Sequence, residues 1–510
     1  MLNAPTPRLG NCFPSETYFE TAEPTDYRRT FALRSAGAGG IGVLPDAGNA
    51  TCRPEKMYKA LTLLPGGNEM AAFFRVITRL SMSICLAFAG LVSWPAAAAT
   101  GPQDTLAVWY RMTLELVRHT PTYSPPVASR AFAYIGVAAY EAVASGDADL
   151  QSLAGQLTGL TELPPRETGK VYDETLVLQT VLSTVVADLF ANTGPTGQRA
   201  LASLTQKQSD RAANGVSADV ATRSQAYGNA VAAHVLTWAA TDGGATVENM
   251  GFPYDYALTE GPEHWVPTSA IRQQQMPLLP DWGKNRPFAM PTASACDLPP
   301  PPAYSEDPAS QFFAQAKEVA DMKAALTPEQ RAVARFWSDD AMLSSTPPGH
   351  WISIALQIAK RDQASVAQTV DVVARLGVAT ADAFIGTWHT KYRYDLLRPV
   401  TYIRRTLDPK WESLMTTPPF PEYPSGHSSQ SAAAAVVLTG LYGDGFAFDD
   451  DTHADDGLPA RRYPSFWAAA EEAGLSRLYG GIHFRAAIEQ GLSQGRCIGA
   501  FASALKTRSK

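Results

Sequence analysis

The chain has 510 residues with a formal net charge of −7, and 45% of its residues are hydrophobic. A negative net charge gives no overall attraction to nucleic acid or to an anionic membrane surface, so neither is predicted as a partner. After residue 99 no apolar run reaches about 18 residues, which predicts a mature protein without a membrane span.

The first 99 residues divide into two segments. Residues 1–69 have a mixed composition without a sustained period, which predicts a non-native upstream extension or disorder. Residues 70–99 combine two arginines after Met70, an apolar run at 80–92 and a final row of alanines. This order is typical of a secretory signal peptide, although a membrane anchor or a core helix is an alternative. The sequence therefore predicts translation from Met70 and a periplasmic or secreted protein.

Removal of the signal peptide leaves two cysteines, Cys296 and Cys497. Neither has the spacing of a metal site. A disulfide between them is compatible with an exported protein, and two free thiols are an equal alternative.

Helical periodicity dominates residues 100–510, which predicts an all-α domain. The predicted helices are 105–119, 129–144, 173–191, 196–213, 220–241, 310–325, 328–341, 350–361, 365–398, 428–442, 465–477 and 485–506. Two long irregular connections, 248–308 and 447–464, interrupt them. Loops of that length suit a binding arm or the contact of a homodimer.

Three short blocks near the C-terminus carry the strongest chemical signal. They are Lys391 with Arg398-Pro399, then Pro424-Ser425-Gly426-His427, then Ser476-Arg477 with His483. Together they provide three cations, two histidines and a glycine-containing turn, which are groups suited to holding a tetrahedral oxyanion. Each block alone also fits a solvated helix face, a plain turn or a structural histidine. Their co-occurrence favours a common anion site.

The spacing within the blocks predicts how they are arranged. Lys391 and Arg398 are seven residues apart, so one helix through both would place them on the same face. Residues 423–427 read as a turn that opens a helix, where backbone N–H groups favour an anion and Gly426 allows its close approach. The pair Gly480-Gly481 predicts a helix break that turns Arg477 and His483 toward one pocket.

These blocks resemble the shared site of the type 2 phosphatidic acid phosphatases and the vanadium-dependent haloperoxidases. Segments around Arg130, Trp282 and His350 also resemble bacterial members of the haloperoxidase family. The resemblance implies two four-helix bundles with the anion site in residues 388–490. It also implies vanadate as the cofactor, and phosphate can occupy the same site.

The resemblance implies a role for each residue of the blocks. His483 is the axial vanadium ligand or the nucleophile toward a phosphate ester, and His427 is the acid–base group. The residues implied to bind the equatorial oxygens are Lys391, Arg398, Ser425, Gly426 and Arg477. The implied substrates are hydrogen peroxide, a halide and a small organic acceptor, with vanadate polarising the peroxide for attack by the halide.

Two further features bear on the chemistry that the resemblance implies. The family usually has an Asp four residues after the last histidine, where this chain has Ala487. Loss of that carboxylate weakens a nucleophilic histidine more than a ligating one. Trp388 and Phe420 match the halide pocket of chloroperoxidase-type sites, although simple packing of two aromatic residues explains them as well.

The sequence therefore predicts a vanadate-dependent haloperoxidase that produces hypohalous acid or a halogenated product. A periplasmic acid phosphatase that acts through phosphohistidine at His483 is the first alternative. A non-catalytic oxyanion-binding protein is the second.

Overall fold

The computed structural model describes residues 101–269 and 276–508. These residues belong to a unit that spans Pro95–Lys510. The predicted extension (1–69) and signal peptide (70–99) lie outside the described residues. Among the helices that are described, none combines the length and the apolarity required to cross a membrane.

Helices account for nearly all regular structure in the described residues, which confirms the all-α prediction. The helices are α1 (Pro102–His119), α2 (Pro125–Ala144), α3 (Glu174–Leu189), α4 (Pro195–Ala213), α5 (Ala218–Ala239), α6 (Gln311–Ala325), α7 (Pro328–Phe336), α8 (Thr346–Arg361), α9 (Val366–Tyr394), α10 (Pro399–Thr406), α11 (Gly426–Tyr442), α12 (Phe466–Tyr479) and α13 (Arg485–Ser503). Strands β1 (Phe448–Asp450) and β2 (Arg461–Tyr463) form an antiparallel pair.

The N-terminal half forms a group of four packed helices: α1, α2, α3 and α5. Helices α1 and α2 begin with proline in their first turn, where a missing N–H donor costs nothing. Helix α3 begins where the Asp173 side chain accepts a hydrogen bond from the Leu176 N–H. The residues of α2 from Pro126 to Ala142 are all buried, so this helix is the centre of the group.

The C-terminal half forms a second group of four: α9, α11, α12 and α13. Three glycines spaced four residues apart on α13, Gly491, Gly495 and Gly499, face α11. A Cβ atom at Gly495 would lie 2.0 Å from the Ser429 carbonyl oxygen, so only glycine allows this separation of the two backbones.

Helices α2 and α9 join the two groups. Gly136 on α2 lies against the backbone of Val373 and Ala374, and Gly377 on α9 lies against the backbone of Phe132. The two helices therefore pack with their backbones close together. This packing agrees with the two four-helix bundles that the family resemblance implies.

The prediction of one helix over residues 365–398 is wrong. Helix α9 ends at Tyr394, Asp395 follows with a left-handed φ of 46°, and Arg398 is the N-cap of α10. Pro399 explains the break, because a proline disfavours helical backbone at the preceding residue and lacks the N–H that a continuing helix needs. Lys391 and Arg398 therefore do not share a helix face.

The connection at 447–464 contains regular structure that the periodicity did not predict. Phe448 pairs with Tyr463 and Asp450 with Arg461 in the two-stranded sheet. The connection at 248–308 is irregular in its described part, apart from the 3-10 turns Asn249–Gly251 and Trp282–Lys284. Cys296 of this connection forms a disulfide with Cys497 of α13, which decides between the two alternatives left by the sequence.

Candidate active site

A cavity of about 430 Å³ lies beside the second helix group. Its lining includes Gly426 and His427 of the second block and Arg477 and His483 of the third. Trp388, near the first block, and Phe420 also line it. The structure therefore brings these side chains to one cavity. Lys391, Arg398 and Ser425 are fully buried and are not among its lining residues.

The second block forms the N-terminus of α11, as its pattern predicts. Ser425 is the N-cap, and its hydroxyl accepts a hydrogen bond from the Ser428 N–H at 3.3 Å. Gly426 then opens the helix at the cavity wall, so the positive end of the helix dipole faces the cavity. The ring of His427 is hydrogen-bonded to the backbone of Ser338, and its Nε2 atom has no hydrogen-bond partner within the described residues.

The third block turns at the predicted glycine pair. Helix α12 ends at Tyr479, Gly480 is its C-cap, and Gly481 has a φ of 75° that suits glycine alone. Arg477 donates from Nη1 to the Trp337 carbonyl oxygen at 2.8 Å, while its buried Nε has no partner in the part of the chain that the structure describes. The break directs His483 toward the same cavity as Arg477.

Arg398 lies directly behind His483. Its Nη1 atom is 3.1 Å from His483 Nε2 and also donates to the Ile482 carbonyl, and its Nε donates to the Phe420 carbonyl. Arginine has no acceptor atom, so His483 Nε2 must be the unprotonated nitrogen in this contact. The Nη2 atom of Arg398 is buried and has no partner among the described residues.

Lys391 uses its three N–H donors inside the protein. Its ammonium donates to the carbonyl oxygens of Pro421, Glu422 and Pro424 at 2.8, 2.9 and 2.5 Å. In this structure it fixes the segment that leads into α11. Its predicted contact with an anion stays a prediction.

Sequence reasoning missed Glu422. This fully buried carboxylate accepts hydrogen bonds from His483 Nδ1 and from the Phe484 N–H, each at 2.8 Å to Oε1. His483 therefore has a carboxylate partner although position 487 carries none. The available signal was a single acidic residue in the run of prolines and aromatic residues before Ser425.

Burial and mutual repulsion disfavour the charged forms of these cations. Burial lowers the pKa of Arg398 to about 9, with Arg477 contributing, and burial lowers that of Arg477 to about 10. Burial also lowers the pKa of His427 and His483 well below the usual value, with the neighbouring cations adding to the effect. Both imidazoles are therefore neutral near pH 7, which is the form that ligates a metal or accepts a proton.

The donor set fits a tetrahedral oxyanion such as vanadate or phosphate. Arg398 Nη2 and Arg477 Nε are buried N–H donors without partners within the described ranges, and Gly426 opens a helix beside them. Buried polar groups are normally hydrogen-bonded, so these atoms indicate a bound group that accepts hydrogen bonds. An anion here would also stabilise the charged forms of the cations.

Trp388 and Phe420 form one wall of the cavity, with ring centroids 4.9 Å apart. The Trp388 Nε1 donates to the Leu278 carbonyl, which orients the indole. The Phe420 ring lies 4.9 Å from the Arg398 guanidinium carbon and 5.2 Å from the Lys391 ammonium. Phe420 thus lines the cavity and contacts two of the buried cations, and the assignment of the two rings as a halide pocket stays a prediction.

A second buried polar cluster adjoins the cavity, whose lining includes its member Asp339. Three of its residues, Asp339, His350 and His453, bring possible ligand atoms within 4.8 Å of one another. His350 contacts Asp339 through Nδ1 and Asp450 through Nε2, at 2.9 and 2.8 Å. Burial lowers the pKa of His350, but the two carboxylates outweigh it and raise the pKa to about 10. The contacts therefore pair positive imidazoles with negative carboxylates. We call the cluster of Asp339, His350, Asp450 and His453 the ion network.

Comparison with known proteins gives consistent matches. A family model described as the VCPO second helical-bundle domain matches residues 371–509. The crystal structure of the first bacterial vanadium-dependent iodoperoxidase is 38% identical, with a TM-score of 0.73 over 80% of this chain and 97% of that one. A holo-type bacterial vanadium-dependent chloroperoxidase is 17% identical, with a TM-score of 0.58 over 81% and 94% of the two chains, and shows the likeness of fold.

One curated relative is also similar in sequence. Vanadium chloroperoxidase from Curvularia inaequalis is 24% identical over 220 residues, which are 31% of this chain. The match spans only 36% of that protein's length.

Proposed function

Since the chain belongs to the vanadium-dependent haloperoxidase family, we propose that it binds vanadate and oxidises a halide with hydrogen peroxide. The products are hypohalous acid or its equivalent and, with an organic acceptor, a halogenated compound. The buried N–H donors of Arg398 and Arg477, which have no partner among the described residues, lie beside the neutral His483 and carry this proposal.

In this proposal each residue acts from its position in the structure. His483 would ligate vanadium through the lone pair of Nε2, which accepts from Arg398 Nη1 in this structure, so Arg398 would have to release it and turn its donors to the anion. Arg398, Arg477 and the N-terminus of α11 at Gly426 donate to the oxygens, and Lys391 contributes charge from behind the segment that it holds. Bound vanadate supplies Lewis acidity that activates peroxide toward halide.

His427 is the proton acceptor of the proposed site. Its Nε2 is unpartnered within the described residues and belongs to a ring that lines the cavity, and its lowered pKa keeps it neutral. Hydrogen peroxide must lose protons to bind an oxyanion centre, and a neutral imidazole can take one. Trp388 and Phe420 form the halide pocket.

We also propose that the protein is exported to the periplasm or secreted after removal of the predicted signal peptide. The disulfide between Cys296 and Cys497 supports this compartment, because such bonds persist in oxidising environments. N-terminal sequencing of the native protein tests the proposal. A mature start upstream of residue 70 contradicts it.

The direct test uses the mature chain from about residue 100, stripped of anions and divided into portions with and without orthovanadate. Both are assayed with peroxide and iodide or bromide for halogenation of a dione reporter. Activity that depends on vanadate supports the proposal, and His483→Ala should abolish it together with vanadate retention. His427→Ala should retain the anion and lose turnover.

The alternative outcome is defined by a second assay on the same samples. Hydrolysis of a phosphomonoester that vanadate inhibits, without halogenation, would support the phosphatase hypothesis with His483 as the nucleophile. Anion binding without either activity would support the hypothesis of a non-catalytic oxyanion-binding protein.

A further inference from the structure

The carboxylate that contacts His483 belongs to Glu422, which is not the position where the family motif has an Asp. Oε1 of Glu422 accepts from His483 Nδ1 at 2.8 Å and from the Phe484 N–H at 2.8 Å. Both the carboxylate and the imidazole are nearly inaccessible to solvent. One oxygen therefore binds the ring and the backbone beside it, which fixes the ring's position and its rotation.

The contacts around His483 determine which nitrogen carries the proton. Arg398 can only donate, so the Nε2 atom 3.1 Å from its Nη1 must accept. The proton then resides on Nδ1, where Glu422 accepts it. A carboxylate on the distal nitrogen is the usual means by which proteins orient a histidine ligand and raise its basicity.

We propose that Glu422 is the positioning residue for His483, in the role that an Asp at position 487 fills elsewhere in the family. The inference rests on the proposed role of His483 as the residue that contacts the anion. It assigns Glu422 no contact with a substrate.

The space around position 487 supports the exchange of roles. Glu422, Phe484 and Ala487 line one small cavity of about 10 Å³ next to the active site. Position 487 therefore lies at the same small cavity as Glu422, with space for about one water molecule, and an Asp side chain there would face the Glu422 carboxylate. Aspartate at 487 and glutamate at 422 would place two carboxylates at the same buried site, and like charges at close range disfavour each other.

The segment that carries Glu422 is held independently of its side chain. The Glu422 N–H donates to the Leu396 carbonyl at 2.9 Å, and the Glu422 carbonyl accepts from the Lys391 ammonium at 2.9 Å. Lys391 also binds the carbonyls on either side, at Pro421 and Pro424. The fixed backbone makes the carboxylate a rigid support for the imidazole.

The test measures anion binding, so that it does not depend on turnover. Inorganic phosphate and orthovanadate are titrated into the mature protein by equilibrium dialysis. We expect Glu422→Gln and Glu422→Ala to weaken orthovanadate, which His483 would ligate, about 10- to 100-fold, as loss of a histidine's outer partner typically does. Phosphate, which the unprotonated Nε2 cannot ligate, should respond much less. Nitrogen NMR of protein labelled with ¹⁵N-histidine reports the tautomer of His483, whose signals are identified by their absence in His483→Ala. In both Glu422 variants these signals should move away from the chemical shifts of the Nδ1–H tautomer.

A matched control and a compensating variant separate positioning from general damage. Glu141→Gln removes another buried carboxylate, which accepts from the Leu153 N–H in the first helix group, and should leave anion affinity unchanged. The double variant Glu422→Ala/Ala487→Asp should recover affinity to within a few fold, whereas Ala487→Asp alone should lower it.

Unchanged vanadate affinity in Glu422→Gln and Glu422→Ala, with unshifted His483 signals, would overturn the proposal. Failure of the double variant to exceed Glu422→Ala in vanadate affinity would refute the exchange of roles with position 487. A wild-type protein whose vanadate affinity responds to these variants but that does not halogenate would contradict the proposed function and leave the role of Glu422 standing.

Discussion

Two buried groups of charged side chains meet at residues 338–340 and differ in how their charges are balanced. In the ion network, His350 lies between Asp339 and Asp450, and His453 also contacts Asp339. Every charge there faces an opposite one. In the active-site group, Arg398 and Arg477 each keep a buried N–H without a partner in the described residues.

The comparison indicates that the ion network stabilises the fold, whereas the active-site group is suited to bind an anion. Removing one partner of a buried ion pair is strongly destabilising, whereas buried cations that nearby carboxylates compensate only in part cost stability until an anion arrives. The lowered pKa values of Arg398 and Arg477 express that cost. The unbalanced group is thus the one expected to respond to a ligand, and the balanced group is the one expected to respond to mutation and pH.

The largest expected effect is that of removing the centre of the ion network. His350→Leu leaves two buried carboxylates without their shared cation, and should lower the free energy of unfolding by about 3–5 kcal/mol. Urea unfolding of the mature protein measures it. His119→Gln, at an exposed side chain, is the control and should change nothing measurable. A loss below about 1 kcal/mol for His350→Leu would mean that the network is not a stabilising device.

The next effect is stabilisation of the active-site group by an anion. Phosphate or orthovanadate at about one hundred times its dissociation constant should raise the free energy of unfolding by about 2.7 kcal/mol. Thermal and urea unfolding with and without the anion report the change. A protein that is equally stable in both conditions would show that the cations are compensated in another way.

A smaller effect is the pH dependence that His350 contributes. Its folded pKa of about 10 lies above the usual 6.5, so its contribution is fully present below pH 6.5 and is lost as the pH rises through 10. The stability difference between wild type and His350→Leu should therefore narrow over this range, by at most about 1.4 kcal/mol per pH unit. Unfolding curves at several pH values test this, and a constant difference would contradict a charged His350.

The smallest expected change in stability follows removal of one active-site cation. Arg477→Met loses the bond to the Trp337 carbonyl but relieves the charge repulsion with Arg398. The free energy of unfolding without anion should therefore change by no more than about 1 kcal/mol. The same variant should lose most of the stabilisation by phosphate. Large destabilisation of Arg477→Met without anion would mean that Arg477 stabilises the fold, as the residues of the ion network do.

The sequence predicted the helices better than their connections. It also singled out His427, Arg477 and His483, which the structure brings to one cavity, because their residue types and short-range turns are local properties. The Gly480-Gly481 break is where the pattern placed it. The two helix groups followed from the resemblance. Periodicity alone could not supply them, because it does not specify which helices pack together.

Three features could not be predicted for identifiable physical reasons. The end of α9 depends on Pro399, whose effect outweighed a helical pattern that continues past Tyr394. The β1–β2 pair is too short for a period to be evident, with three residues in each strand. Glu422 is 61 positions from His483, so their contact depends on tertiary structure rather than on spacing.

The glycine row on α13 has a consequence for how this site can change over evolution. Backbone contact with α11 sets the distance between the turn at Ser425 and the residues that follow His483, so the anion's surroundings depend little on side-chain packing. The aromatic wall at Trp388 and Phe420 has no part in that contact. Under the proposed function, substitutions in the wall would alter which halide or acceptor enters while the frame around the anion stays the same.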